Sequence, residues 1–266
     1  MTIFQAIILG FVQGLTEFLP VSSSGHLLLV PQFLGWTDQG LAFDAMIHLG
    51  TALAALVFYR QECRQILASL FTKTASAEVV RLRNAIVVGT IPAVIIGLLF
   101  RDFIDTQARS VLLVAINLIV WAFIMLVAEH VARLANKATS QAPTWRSAFF
   151  IGCAQALALL PGTSRSGATI TSAIFTGQDR ASAVRFSFLL GLPLILAISM
   201  LSLIELVSSS TAQSVSLAPL IAGLVTSFAG GFIAIRVLLK LLAHRGLTIF
   251  AVYRIALAIV ILLFLR

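Results

Sequence analysis

Five apolar stretches, at 45–59, 84–100, 110–128, 186–207 and 217–235, run without Asp, Glu, Lys or Arg except for Glu205 near one end, and a sixth at 247–265 is interrupted by Arg254 alone. Runs of this kind approach the roughly 20 residues that a helix rising about 1.5 Å per residue needs to cross about 30 Å of hydrocarbon. The pattern predicts six transmembrane helices. Two further segments, 1–35 and 147–178, are apolar at their ends but broken in the middle by Pro, Gly and Ser, and do not read as clean spans.

Laid over each other without gaps, the two broken segments match. Gly10, Gln13, Leu15, Ser22, Ser24 and Gly25 recur as Gly152, Gln155, Leu157, Ser164, Ser166 and Gly167. Each broken segment precedes three predicted spans, and an odd number of crossings makes the second copy enter from the opposite side. The expectation is an all-α, polytopic membrane protein: a single integral membrane domain over 1–266, with six spans and two re-entrant helical hairpins in an inverted-topology repeat. Repeat one covers about 1–130 with its hairpin at 1–35, and repeat two about 147–266 with its hairpin at 147–178. The plainer alternative is a pair of ordinary spans ended by Pro-containing turns. Broken backbone at membrane depth is tolerated only inside protein or against a wet cavity, so the two breaks are expected to converge on one polar site.

Composition supports the membrane reading and excludes a water-soluble enzyme: of 266 residues, 59% are hydrophobic and 11% charged, with a mean hydropathy of +1.04. The formal charge of +8 lies in thin clusters between apolar runs, without the dense patch and interleaved aromatics of a nucleic-acid surface. Arg60, Arg64, Lys73, Arg81 and Arg83, then Arg133, Lys137 and Arg146, then Arg236, Lys240 and Arg245, mark three cytoplasmic loops at 60–83, 129–146 and 236–246. The 101–109 connection balances Arg101 and Arg109 against Asp102 and Asp105, which suits the other side. On this count segment 1–35 enters from outside and segment 147–178 from the cytoplasm. No Lys or Arg precedes Arg60, so the first segment lacks the basic start of a cleaved signal and is expected to remain. Cys63 and Cys153 have no metal or redox spacing and read as inert.

The chemistry sits in the breaks. Glu17 is a carboxylate in an apolar stretch, which costs roughly 3 kcal/mol or more at the bilayer centre unless compensated. Gln13 lies one turn earlier on the same face, so the two can offer two oxygen ligands, or one ligand and one orienting amide, to a common centre. After Pro20, the run Ser22, Ser23, Ser24, Gly25, His26 opens a helix whose amides suit an anion. Alone, such a turn is usually only an N-cap; beside Glu17 and His26 it suggests phosphate chemistry. In the second break Arg165 lies among Thr163, Ser164 and Ser166, where a guanidinium matches phosphate oxygens. Asp44 and His48 read either as a supporting shell or as interfacial residues. For Arg254, neutralising a substrate and pairing with Glu205 stand equal.

Gln13-xxx-Glu17 followed by Pro20-Val21-Ser22-Ser23-Ser24-Gly25-His26, together with Pro161-Gly162-Thr163-Ser164-Arg165-Ser166-Gly167, resembles the signatures of the bacterial undecaprenyl-diphosphate phosphatases, also called bacitracin-resistance proteins. The resemblance covers essentially the whole chain in length and hydropathy. It implies hydrolysis of undecaprenyl diphosphate to the monophosphate lipid carrier for wall polymer synthesis, in the bacterial plasma (inner) membrane, with a site opening to the outer face. It also implies a divalent cation, Mg2+ or Ca2+. Carried over by position, Glu17, Ser23, His26 and Arg165 match the catalytic set, and Gln13 with Glu17 the metal motif, although many members carry Glu where this chain has Gln13. Phosphate-binding is assigned to Ser22, Ser24, Gly25, Thr163, Ser164 and Ser166. Spacing leaves open whether Ser23, His26 or water attacks phosphorus.

The competing class is a lipid-phosphate transporter or flippase, since broken helices in inverted repeats also build alternating-access carriers. Glu17 and His26 favour the enzyme, because a carrier needs anion donors but no acid or base. A non-catalytic scaffold would need neither Glu17 nor Arg165. The partners expected are undecaprenyl diphosphate and membrane lipid, without nucleic acid; a homodimer is compatible with the sequence, though no interface motif points to one.

Overall fold

The structure is a computed structural model and describes residues 1–72, 74–100, 110–134, 138–208 and 216–264, with side chains omitted at 41–42 and 205–208. The first broken segment forms α1 (Ile3–Phe18) and α2 (Ser23–Leu34). Then come α3 (Leu41–Phe58), α4 (Arg60–Ala68), α5 (Ala77–Leu99) and α6 (Val111–Leu134). The second broken segment forms α7 (Trp145–Leu157) and α8 (Arg165–Phe175), followed by α9 (Arg180–Ser208), α10 (Leu217–Arg245) and α11 (Thr248–Phe264). Both hairpins therefore break where Pro, Gly and Ser predicted.

All six expected spans are helices, but among the described residues only α5, α6, α9 and α10 are long and apolar enough to cross a bilayer by themselves. The stretch at 45–59 lies in α3, which ends at Tyr59 where the polar α4 begins, and 247–265 is the 17-residue α11. The expected turn at 236–246 is corrected: α10 stays helical through Arg236, Lys240 and Arg245 and turns only at Gly246, which has φ +62. Lys73, Lys137 and the 101–109 connection lie outside the described residues.

Hairpins and long helices interlock across the two halves of the chain. Helix α1 packs on α10 and α7 on α5, while α3 meets α9 and α6 meets α11. Glycine permits the tightest approaches: a Cβ at Gly14 would lie 2.6 Å from Ser227 O and 2.7 Å from Gly231 N, and one at Gly152 would overlap the Gly89 backbone. Where water offers no alternative partners, such close packing supplies the dispersion contacts that hold helices together.

The basic loops gather at one end of the bundle. Buried Glu129 at the end of α6 accepts from Arg180 of α9 at 2.5 Å and from Leu247 N at 3.0 Å, and Arg185 of α9 pairs with Glu62 of α4 and Glu78 of α5. Arg81 donates to Gln141 in the loop before α7. The three loops predicted to share a side thus share an end. Cys63, on α4, is an unpaired thiol; burial first, then the Glu62 charge, push its pKa up, as an unreactive cysteine requires.

Candidate active site

The two breaks have the same local construction. Ser22 and Ser164 sit at φ 73 and φ 74, a left-handed region that non-glycine residues rarely enter. Each caps the helix that follows: Ser22 Oγ accepts from Gly25 N at 3.3 Å, and Ser164 Oγ from Gly167 N at 3.2 Å. Each hydroxyl also meets the serine two residues on, Ser24 at 3.3 Å and Ser166 at 3.2 Å. The sequence match is therefore a match of backbone geometry, and the capping glycines are its reason.

Arg254 accounts for the polar backbone that the breaks leave buried. Its side chain is fully buried and donates to the carbonyls of Pro20 in the first break (3.3 Å), Gly162 and Thr163 in the second (2.7 and 3.0 Å), and Leu118 and Asn117 of α6 (both 3.2 Å). Asn117 Nδ2 donates to Pro161 O at 2.8 Å, and Ser166 Oγ to Leu19 O at 3.2 Å. A planar fork with five donors suits this task, whereas a lysine's three donors do not cover it. Arg254 thus binds the tips of both hairpins to each other. Among the described residues its partners are all carbonyls, and the Glu205 side chain, weighed from sequence as a partner, lies outside them.

Held this way, the breaks bring Glu17 and Arg165 together across 148 residues of chain: Arg165 Nη2 donates to Glu17 Oε1 at 2.9 Å. The carboxylate is 6% exposed and the guanidinium 11%, so this is a buried ion pair. Glu17 Oε2 accepts from Ser23 Oγ at 2.7 Å and from Gln13 Nε2 at 3.1 Å. His48 Nε2 lies 3.8 Å from the same oxygen. The second guanidinium nitrogen, Arg165 Nη1, reaches Ser187 O at 3.2 Å, and the space it occupies exists because residue 191 is glycine: a Cβ there would overlap Nη1.

Two buried polar atoms in this cluster have no hydrogen-bond partner among the described residues: the donor Arg165 Nε and the acceptor Gln13 Oε1. Such atoms are rare in native proteins, and here they are complementary in sign to a phosphate oxygen and a cation. The first-turn amides of α2 and α8 lack intrahelical acceptors and add a positive end to each helix beside the pair. Together these groups can hold an anion, neutralise it and accept a proton.

A family model described as "Bacitracin resistance protein BacA" matches residues 6–260. The chain belongs to the BacA family. It is 44% identical over 266 residues to "Undecaprenyl-diphosphatase 2" of Stutzerimonas stutzeri (strain A1501), covering 98% of each chain. It is 41% identical to "Undecaprenyl-diphosphatase" of Alteromonas mediterranea, covering 99% of each, and 39% identical to "Undecaprenyl-diphosphatase 1" of Pseudoalteromonas translucida, covering 100% of this chain and 99% of the relative.

Within this BacA chain the expected site residues divide into three groups. Gln13, Glu17, Ser23 and Arg165 converge as described. Ser22, Ser164 and Ser166 are buried, with hydroxyls engaged in caps and the Leu19 contact; Thr163 is buried with its carbonyl on Arg254, and Gly25 donates its amide to the cap. These five build the breaks, which leaves exposed Ser24 and half-buried Ser23 as the hydroxyls open to a ligand in the first break. His26 points elsewhere: Nδ1 lies 2.7 Å from Ser22 O and Nε2 2.7 Å from the Tyr253 hydroxyl of α11. Tyr253 and Gly191 escaped the sequence reading, since a tyrosine and a glycine in apolar helices carry no motif. His48, read from sequence as a supporting or an interfacial residue, is the imidazole facing Glu17.

Proposed function

We infer that this chain hydrolyses undecaprenyl diphosphate to undecaprenyl phosphate and inorganic phosphate, returning the lipid carrier to cell-wall polymer synthesis. Membership of the BacA family and the names of three relatives at 39–44% identity over nearly full length support the reaction. The observation that carries the site is the shared Glu17 carboxylate: an acid and a hydroxyl from the first break and a guanidinium from the second meet on one group. In this reading the diphosphate binds where the breaks abut, with Arg165 and the opening amides of α2 and α8 on its oxygens and the prenyl chain among the helices. Glu17 Oε2, already bonded to the Ser23 hydroxyl, accepts the proton of the attacking oxygen. His26 acts through Nε2, because its Nδ1 is held by a carbonyl. A transporter lacking chemistry would need no such acid–hydroxyl pair.

A divalent cation, Mg2+ or Ca2+, fits the donor set. Gln13 Oε1 is a buried oxygen without a partner beside Glu17, and hard cations take oxygen ligands from one or two carboxylates and substrate phosphates. Among the described residues no group of three or more His, Cys, Asp or Glu gathers, so Gln13 and Glu17 would hold the ion jointly with the substrate. When bound, it supplies positive charge against the departing phosphate. The site would open to the outer face of the inner membrane, a reading supported by the gathering of the described basic loops at one end of the bundle.

The test is phosphate release from undecaprenyl diphosphate by purified protein in detergent, with and without EDTA, for wild type, Glu17→Ala, His26→Ala and Arg165→Ala. Turnover in the wild type, lost in EDTA and in all three variants with thermal midpoints retained, is expected. A fully active Arg165→Ala removes the phosphate clamp from the proposal.

A further inference from the structure

Glu17 Oε2 faces three groups, and two of them hold it as donors: Ser23 Oγ at 2.7 Å and Gln13 Nε2 at 3.1 Å. The third is His48 on α3, whose Nε2 lies 3.8 Å away, beyond hydrogen-bond reach. The state of that nitrogen follows from the other side of the ring. Nδ1 lies 2.6 Å from the Asp44 carbonyl, which can only accept, so Nδ1 carries a proton and in the neutral ring Nε2 holds a lone pair. His26 and His244 make the same bond one turn back along their helices. His48 differs in what its other nitrogen meets: Nε2 makes no hydrogen bond among the described residues, and a carboxylate oxygen stands opposite. Two electron pairs facing each other repel unless a positive charge lies between them. The gap is too long for a shared proton, whereas two ligands about 2.1 Å from one ion stand about 3–4 Å apart.

Gln13 completes the set. Its side chain is fully buried, and Oε1 has no partner among the described residues, so one end of the amide is unsatisfied. Turning the amide over exchanges two groups of nearly equal size. It lifts the N–H from Glu17 Oε2 and puts the oxygen where the nitrogen now lies, 3.1 Å from that atom, a contact that only a cation makes favourable. Oε2 then has a lone pair for the ion, while Ser23 stays on Oε2 and Arg165 on Oε1.

We propose that His48 Nε2 is a third protein ligand of the cation held by Gln13 and Glu17, and that this nitrogen tilts the site from Ca2+ toward first-row ions such as Mn2+. The proposal rests on the reading that the site takes a divalent cation. Ca2+ takes oxygen ligands, whereas imidazole serves first-row transition ions well. The bond from Nδ1–H to the Asp44 carbonyl is the outer contact that fixes the tautomer of a metal-bound histidine. The His48 side chain is 31% exposed against 6% for Glu17, so the ion enters past the imidazole.

Mn2+ is the probe, because pulsed EPR reports the nitrogens bound to it. Full-length protein in detergent, with unlabelled or 15N-labelled histidine, is loaded with Mn2+ in the presence of methylenediphosphonate, a diphosphate mimic that does not hydrolyse. We expect the bound ion to show a directly coordinated nitrogen that changes from 14N to 15N with the label. That coupling should vanish in His48→Gln, with the thermal midpoint retained. The Mn2+ Kd should rise at least about tenfold in the variant, as changes around metal-bound histidines already cause, while the Ca2+ Kd, read by displacement of Mn2+, should not rise. No bound Mn2+, or a bound ion without nitrogen coupling in the wild type, overturns the proposal, and this spectrum decides even where the variant does not fold. So does coupling that persists in His48→Gln, an unchanged Mn2+ Kd, or an equal loss of Ca2+ affinity. If wild-type protein releases no phosphate from undecaprenyl diphosphate, the phosphatase reading fails, and the nitrogen coupling still decides the ligand.

Discussion

Substituting Gly191 by alanine should disable the site while leaving the fold intact. The new methyl would overlap Arg165 Nη1 and lie 2.5 Å from Cζ, and ordinary contact starts near 3.4 Å, so the guanidinium must retreat by at least about 0.9 Å at Cζ and further at Nη1. The obstructed atoms are the far end of a flexible side chain, so the side chain yields and the helix does not. A shift of that size suffices to break the 2.9 Å bond to Glu17 and the 3.2 Å bond to Ser187 O. Misplacing a positioning group by about 1 Å costs on the order of a hundredfold in rate, and that is the expected fall in kcat/KM for phosphate release. Alanine is favoured over glycine inside a helix by about 1 kcal/mol, which offsets only part of the loss of the buried pair, so the thermal midpoint should fall while the protein still folds. Gly191→Ala with wild-type kcat/KM would show that the observed position of Arg165 does not matter, and the clamp would have to be abandoned.

Replacing Arg254 by Met should lower the unfolding midpoint in detergent steeply, because each carbonyl orphaned at Pro20, Gly162 and Thr163 costs about 1–3 kcal/mol. At the cap of α8, Ser164→Ala is expected to destabilise by about 1 kcal/mol and Ser164→Gly by only a few tenths, because glycine tolerates the φ of 74; paired thermal melts give the order. Far from the site, Glu129→Ala should cost about 1–3 kcal/mol, chiefly by leaving buried Leu247 N without its acceptor, since Arg180 is 35% exposed and water can take its donors, while kcat of the folded protein stays at the wild-type value. Gln13→Glu adds a second carboxylate beside Glu17 and should lower the Mg2+ concentration that restores half the activity after EDTA treatment.

The periodicity of the chain made the helices and the two breaks legible, because lipid forces long apolar runs into helices and confines Pro, Gly and Ser to where backbone is protected. The meeting of Glu17 with Arg165 was legible for the same reason: isolated charges in apolar sequence need partners. What sequence could not convey was direction. His26 and His48 are both one or two turns from polar neighbours, and only the packing of α3 and α11 decides that His48 faces Glu17 while His26 faces Tyr253. Nor did sequence convey that Ser22, Ser164 and Ser166 serve the turns that make the motifs possible. The extension of α10 to Arg245 was hidden because its basic residues, read as a loop, continue a helix past the apolar boundary.

A double-mutant cycle on Glu17→Gln and Arg165→Lys, read as kcat/KM for phosphate release from undecaprenyl diphosphate, addresses the joint action of the two hairpins. If both side chains serve one head group, the double variant should be little worse than the poorer single variant, since residues acting as a unit are strongly non-additive. Losses that multiply would mean that the two groups act independently, and the shared site would be wrong.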